Sequence, residues 1–220
     1  MSDRAMDDRS PPAGGLSPAA VGRLSLYFRE LTRLSDQGIG SIRSTSLGLR
    51  LGVSASVVRR DLSAIGSRGR RGVGYSTTDL AEHIGGFLAG SDGWRVVLVG
   101  VGSLGDALLR YRGFARLGFD LAAAVDHDPA KIGGAIGGTE ICDVAELQTI
   151  VVQRHIQLAI VSVPASAAPQ VTSMLVAARI GGILNFAPVS LDTPPTVAVV
   201  NVDLASELQR LAFGVRTATT

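Results

Sequence analysis

The chain has 220 residues, 46% of them hydrophobic, which is room for two small domains with a core in each. No apolar run reaches the roughly 18 residues of a membrane span, and a single cysteine, Cys142, excludes an internal disulfide and makes a reducing cytoplasm the expected setting. The net charge of +2 hides an asymmetry: Ser17 to Ser76 carries ten Arg against three acids, whereas Thr77 to Thr220 carries nine basic and thirteen acidic residues. A basic front half points to a polyanionic partner.

Residues 1–16 are polar, rich in Pro and Gly, and lack the apolar stretch of a secretory signal; a disordered tail is expected. The first domain, 17–90, opens with Ser17 as a helix cap and Pro18 at the first helical position. Val21, Leu24, Phe28, Leu31 and Leu34 recur at steps of three and four, predicting a helix that Gly38 ends. Ile42 is expected in a short β-bridge. A second helix is expected from about Thr45 to Leu51, weakened by Gly48, since glycine there costs about 1 kcal/mol relative to alanine. Gly52-Val53-Ser54 forms a turn, and Ser54 caps a third helix, Ala55 to Ile65, with Val58, Leu62 and Ile65 facing inward. Arg59 and Arg60 then project from other faces. Helix, glycine-containing turn and capped helix with paired arginines is the helix-turn-helix pattern. The run Ser67 to Tyr75 sets Arg68, Arg70 and Arg71 among glycines and is expected to be a β-hairpin wing lying along phosphates or in a minor groove. Ser54, Ser56, Arg59, Arg60, Arg68, Arg70 and Arg71 are the candidate DNA contacts.

A helix from about Thr78 to Ala89 and a turn-rich boundary lead to the second domain, 91–220. Strands are expected at Arg95 to Val99, Phe119 to Val125, around Ile141, and at Gln157 to Val163, Gly182 to Phe186 and Thr196 to Val202. Helices are expected from near Leu104, at Val144 to His155, Ala165 to Ile180 and Leu204 to Phe213. Alternating strands and helices predict an α/β domain with a doubly wound parallel sheet. Its first strand runs into Gly100-Val101-Gly102-Ser103-Leu104-Gly105, a G-x-G-x-x-G that opens a helix. Gly100 makes the tight turn, Gly102 lets a pyrophosphate approach the backbone, and Gly105 lets helix and strand pack closely. Asp126 ends the second strand, 21 residues after Gly105, where an acid accepts hydrogen bonds from the ribose hydroxyls and repels a 2′-phosphate. NAD(H) is therefore favoured over NADP(H). Val163, Pro164 and Phe186 follow later strand ends and face the same cleft.

Catalytic groups are not found. Lys131, the only lysine, has His127 four residues before it, so a Tyr-x-x-x-Lys pair is absent. There is no P-loop and no G-x-S-x-G elbow; His83, His127 and His155 are scattered, so no metal site is expected. The residues favour a ligand-responsive DNA-binding protein over an enzyme. A NAD-dependent oxidoreductase, or a CoA-binding Rossmann protein with an accessory DNA-binding domain, stays open.

Six segments together resemble the Rex family of redox-sensing transcriptional repressors: Val57 to Ser63, Arg70 to Tyr75, Leu98 to Gly105, Tyr111 to Phe114, Gly182 to Pro188 and Asn201 to Ala205. The resemblance implies a homodimer of winged-helix plus Rossmann subunits with the C-terminal helix swapped onto the partner. It implies that NADH releases operator DNA while NAD+ competes weakly. By the same resemblance Arg59, Arg60 and the wing arginines contact DNA, and Gly100 to Gly105, Tyr111 and Asp126 serve the cofactor. Arg29, Tyr111 and Asp203 match a polar network that changes between the DNA-bound and NADH-bound forms. The chain departs from the family at Ala64 and Ile65, where aromatics are usual, at Arg70, where lysine is frequent, and at Gly48, which makes the second helix less regular.

Overall fold

Ser17 accepts a hydrogen bond from the Ala20 N–H and starts α1 (Pro18–Asp36), the helix on which the first half of the chain is built. The computed structural model describes residues 16–90 and 93–218. The chain divides into two units, Met1–Ser91 and Asp92–Thr220. The expected tail lies outside the described residues except for Leu16, which packs on the first unit's core.

In the first unit α1 is followed by β1 (Ser41–Ile42), α2 (Ser44–Leu51), α3 (Ala55–Ala64), β2 (Tyr75–Ser76) and α4 (Thr77–Ala89). β1 and β2 pair antiparallel, with Ile42 opposite Tyr75, as the bridge expected at Ile42 required. Leu24, Leu31, Leu34, Leu47, Val58, Leu62, Ile65 and Ile84 form the core. One core position differs from expectation. Val21 is 39% exposed, and Tyr27 is buried in the stripe instead. A tyrosine can take that place because its hydroxyl finds a buried partner, Asp61, at 3.0 Å. Gly48 also changes meaning. A Cβ there would run into the carbonyl of Val53, so the glycine lets α2 and the turn to α3 touch. Its cost in helix propensity is offset by this close approach.

The second unit contains β3 (Trp94–Val99), α5 (Ser103–Arg110), α6 (Gly113–Arg116), β4 (Phe119–Asp126), β5 (Ala135–Ile136), β6 (Thr139–Asp143), α7 (Leu147–Gln153), β7 (Leu158–Val161), α8 (Ala168–Ala177), β8 (Gly182–Asn185), β9 (Ala198–Asn201) and α9 (Leu204–Ala218). The sheet order is β5-β6-β4-β3-β7-β8-β9. Only β5 runs antiparallel; the other six reproduce the Rossmann order 3-2-1-4-5-6. Side chains alternate along β3: Val97 and Val99 join the core against α7 and α8, and Val96 and Leu98 join the core on the other face.

Several boundaries shift. The helix expected over 144–155 splits into a 3-10 turn, Val144–Glu146, and α7. The one expected from Ala165 starts at Ala168, with a proline in its first turn. α9 runs to Ala218 rather than ending at Phe213. α6 and β5 had no sequence expectation; four and two residues are too short to show a period. Among the described residues no helix is long and apolar enough to cross a membrane.

α8 closes with Arg179 in the left-handed region, φ +61°, while the next N–H, of Ile180, bonds back to the Leu175 carbonyl. That conformation costs a non-glycine residue about 1–2 kcal/mol, part of which glycine returns through its freer unfolded chain. Arg179→Gly is expected to stabilise the second unit by about 0.5–1 kcal/mol, read as a raised midpoint in thermal unfolding.

Candidate functional site

The second unit offers a crevice where the strand order reverses, between the carboxyl ends of β3 and β7. Gly100 turns the chain out of β3 at φ +93°, and a Cβ on it would strike the Ser162 carbonyl and Val163. The Ser162 hydroxyl donates to the Gly100 carbonyl at 2.7 Å and locks the two strand ends together. A Cβ on Gly105 would strike the Gly100 carbonyl, so α5 lies hard against the turn. Gly102 is the opposite case. Nothing lies within 4 Å of its Cβ position, and no side chain caps the α5 N-terminus that it begins. The first N–H groups of α5 have no side-chain cap, and the positive end of the helix lies behind them. This cradle fits a pyrophosphate.

Asp126 ends β4 and is 5% exposed. It accepts from the Val101 N–H at 2.6 Å, the Asp128 N–H at 2.9 Å and Lys131 Nζ at 3.3 Å, with His127 Nδ1 at 3.4 Å. Burial alone would push its carboxyl up, but these donors hold it below the usual carboxylate range. The acid thus anchors the glycine loop from the end of the second strand of the parallel order, where a ribose-binding acid is expected. Spacing alone did not indicate the Val101 contact or the lysine.

Val163, just past β7, lies against the Cβ position of Gly100, and Pro164 is next in the chain. Phe186 follows β8, its N–H bonded to the Val161 carbonyl at 2.8 Å. It is half-buried and helps line a cavity of about 490 Å³ with Leu104, Asn185, Pro188 and Asp203. Asn185 is buried and shapes this wall through the Val189 carbonyl, Asn201 and the Ala187 N–H. Asp203 caps α9, accepting from the Ala205 and Ser206 N–H groups and the Ser206 hydroxyl. Tyr111 is not with these groups. It stands at the far end of α5, about 12 Å of helix from the glycine loop, its ring over Gly113 and edge-on to Phe114 at 5.1 Å. It lines a different cavity from Asp203. Arg29 is exposed on α1 in the first unit.

The first unit offers a basic groove of about 640 Å³, walled by Arg43, Arg59, Arg68, Arg70 and Arg71 with Ser44 and Thr45; no acid is among its described lining residues. Arg70 and Gly74 form a one-bridge hairpin, closed by N–H to carbonyl bonds of 2.7 and 2.9 Å. The wing is therefore a tight turn rather than an extended ribbon. Arg43 donates to the Gly72 carbonyl at 3.2 Å and ties the wing to the start of α2. Arg59 donates to the Ser44 hydroxyl at 3.2 Å, joining α3 to the same point. Arg43, Ser44 and Thr45 were missed in the sequence. The available signal was that the first helix of a helix-turn-helix crosses the phosphate backbone. Ser54 caps α3 through the Val57 N–H and bonds Ser56 at 3.0 Å; Ser54, Ser56 and Arg60 are exposed outside the groove lining.

Behind the groove, α3 is tied down by charge. Asp61 is 3% exposed and faces α1. Arg23 Nε and Nη2 donate to its two oxygens at 2.7 and 2.9 Å, and the Tyr27 hydroxyl donates at 3.0 Å. A ring nitrogen of His83 on α4 lies 2.7 Å from the Ile65 carbonyl at the other end of α3. Burial would push the Asp61 carboxyl up, but Arg23 and Tyr27 hold it below its usual value. Burial, with Asp61 next, pushes the Tyr27 phenol up to about 12.

The CoA binding domain family matches residues 91–189, and the family described as putative DNA-binding protein N-terminus matches residues 15–63. A redox-sensing transcriptional repressor Rex of Rhodopirellula baltica is 54% identical over 215 residues, covering 98% of this chain and 91% of the relative. One from Desulfitobacterium hafniense is 43% identical, covering 90% and 95%. Among solved structures, RSP in complex with β-NAD+ and operator DNA superposes with a TM-score of 0.83 at 30% identity, over 93% of this chain and 94% of that one. RSP in complex with β-NADH gives 0.82 at 29% identity, over 93% and 96%.

The two ionisations at the Asp61 site have opposite pH consequences. Tyr27 has its pKa raised from 10.0 to about 12, so its contribution to stability is full below pH 10 and lost as pH rises toward 12. Asp61 has its pKa lowered from 3.8, so its contribution is full above that value and lost as pH falls through the folded-state pKa. In an absorbance titration of the three tyrosines, one is expected to ionise late, near 12, and Tyr27→Phe is expected to remove that step.

Proposed function

The chain belongs to the Rex family of redox-sensing transcriptional repressors, and from that we propose that it binds operator DNA as a homodimer and is released when NADH binds. The observation that carries this reading is the pairing, in one chain, of a five-arginine groove beside a capped helix α3 with a glycine-loop crevice closed by a buried acid. In this reading Arg59, Arg68, Arg70, Arg71, Arg43 and the Ser44–Thr45 helix start hold phosphates and groove edges, and Ser54, Ser56 and Arg60 flank them. Gly100 to Gly105 take the pyrophosphate, Asp126 the adenosine ribose, and Val163, Pro164 and Phe186 the nicotinamide half. RSP, a Rex-family repressor of known structure, holds β-NAD+ with operator DNA in one complex and β-NADH in another; the crevice here suits the nucleotides and the arginine groove suits the DNA.

Dimerisation is supported by what the second unit leaves uncovered. Leu204, Leu208 and Leu211 form a stripe along α9, each more than 60% exposed. An apolar groove of about 380 Å³, with Leu121, Leu158 and Val200 in its lining, opens on the sheet. A lone helix of 15 residues is marginal in water, so α9 needs a partner surface, and a swap onto a second copy supplies one. In this reading Tyr111, Asp203 and Arg29 belong to the switch network that the family resemblance implies. Two winged helices must sit about one DNA turn apart to use both half-sites; a ligand that prefers another arrangement of the dimer releases DNA without touching it.

NADH is preferred over NAD+ because the reduced ring is neutral. Leu104, Phe186 and Pro188 suit a neutral ring, the Asp203 carboxylate in the same cavity is engaged by the Ala205 and Ser206 N–H groups and the Ser206 hydroxyl, and an apolar partner helix carrying Leu208, Leu211 and Phe213 would sharpen the difference. In this reading the protein is a regulator rather than an enzyme, in line with its Rex relatives. It works in the cytoplasm, where DNA and the NADH pool meet. The CoA match spans the Rossmann unit, but Asp126 would repel the 3′-phosphate of CoA as it would a 2′-phosphate.

Binding to a duplex selected from a randomised pool is expected to weaken about 5- to 150-fold in NADH relative to NAD+ at fixed salt. Equal affinities would overturn the redox reading, and CoA outcompeting NADH would favour the rival ligand. Arg59→Ala is expected to cost about 1–3 kcal/mol of DNA binding with NADH affinity unchanged. Asp126→Ala is expected to leave DNA binding in place and abolish its response to NADH.

A further inference from the structure

A charge on the interior face of a helix that reads DNA needs a reason. Val58, Leu62 and Ile65 make that face apolar, yet Asp61 lies among them, 3% exposed. Stability does not supply the reason. Replacing a buried ion pair by apolar side chains of similar volume is often neutral or stabilising. What the ion pair has and an apolar contact lacks is direction. Arg23 grips both carboxylate oxygens with a planar fork, at 2.7 and 2.9 Å, and Tyr27 adds a third donor at 3.0 Å. A fork on a carboxylate sets distance and angle together, whereas apolar side chains repack around small rotations.

We propose that the Arg23–Asp61–Tyr27 clamp is a positioning device for DNA sequence recognition: it fixes the roll of α3 on α1 and so aims Arg59 and Arg60. Residues on a helix step by about 100°. Pinning Asp61 therefore pins the directions of the two residues before it in the chain. The rest of the surroundings fits. Arg59 is tied at its own tip to Ser44, and the far end of α3 is held by His83 at the Ile65 carbonyl. The roll at the middle of the helix is left to the clamp. Neither Arg23 nor Tyr27 is among the groove residues, so both act through α3. The proposal rests on the DNA-binding reading above.

The test uses the full chain, a duplex selected by the wild-type protein from a randomised pool, and a random-sequence duplex of equal length at equal salt. Arg23→Met/Tyr27→Phe/Asp61→Leu replaces the whole clamp with apolar groups and leaves no orphaned partner. It is expected to unfold at or above the wild-type temperature and to bind NADH normally. Its affinity for random DNA is expected to stay within about twofold, because that term is electrostatic. Its preference for the selected duplex is expected to fall by about tenfold or more, the size of one mismatched base pair. Arg23→Lys keeps the charge, loses the fork, and is expected to lose part of the same preference. A folded triple variant with the wild-type preference overturns the proposal. If the triple variant does not fold, Arg23→Lys with an undiminished preference overturns it instead. A wild-type protein with no preference for any duplex would sink the DNA-binding reading itself, a separate outcome.

Discussion

A carboxylate taken out of water costs several kcal/mol unless donors replace its lost hydration. Asp61 and Asp126 are the acids in the buried class among the described residues, 3% and 5% exposed. Each meets the requirement with donors from elsewhere in its own unit, and in doing so ties down a segment of a candidate binding site. Asp61 draws Arg23 and Tyr27 of α1 onto α3. Asp126 draws in the Val101 N–H from the glycine loop and the Asp128 N–H from the following turn. The same chemistry holds α3 beside the arginine groove in one unit and the glycine loop at the strand reversal in the other.

The frameworks around these acids are apolar and differ in kind. In the first unit the helices close on a single core, with a two-residue strand pair at its edge. In the second, the sheet separates two cores, and the reversal of strand order leaves a crevice at the ends of β3 and β7. Ser162 and Gly100 close that reversal so tightly that only glycine fits. Beyond it the sheet runs out to β9, and Leu204, Leu208 and Leu211 of α9 stay exposed. The unit holds its ligand cradle by itself but leaves its last helix unfinished.

The amount of the site legible beforehand tracks the range of the interaction. The glycine motif and Asp126 could be read because their meaning depends on a strand, a turn and a helix that follow one another. Capping by Ser54 and the inward face of α3 were visible for the same reason. Arg43, Ser44 and Thr45 were not, because their part in the groove comes from the wing folding back across 29 residues to Arg43. Tyr27 was passed over for Val21 since periodicity weighs apolar side chains and cannot see a hydroxyl paired with an acid 34 residues away. Gly48 looked like a flaw in a helix until the Val53 carbonyl was found against it. Tyr111 and Asp203, grouped by resemblance, lie beside different cavities of one chain.

By itself the sequence determined the two units, the helix-turn-helix, the alternation that builds a parallel sheet, and the glycine loop with its acid. These follow from local propensity and from periods of two and 3.6, which neighbouring residues carry among themselves. Tertiary structure alone decided which charges are buried and by what they are matched, where the arginines converge, and that Leu204, Leu208 and Leu211 of α9 stay exposed. Those outcomes depend on groups far apart in the chain meeting at distances of about 3 Å, the range over which a hydrogen bond or an ion pair acts, and no spacing along the sequence encodes that meeting.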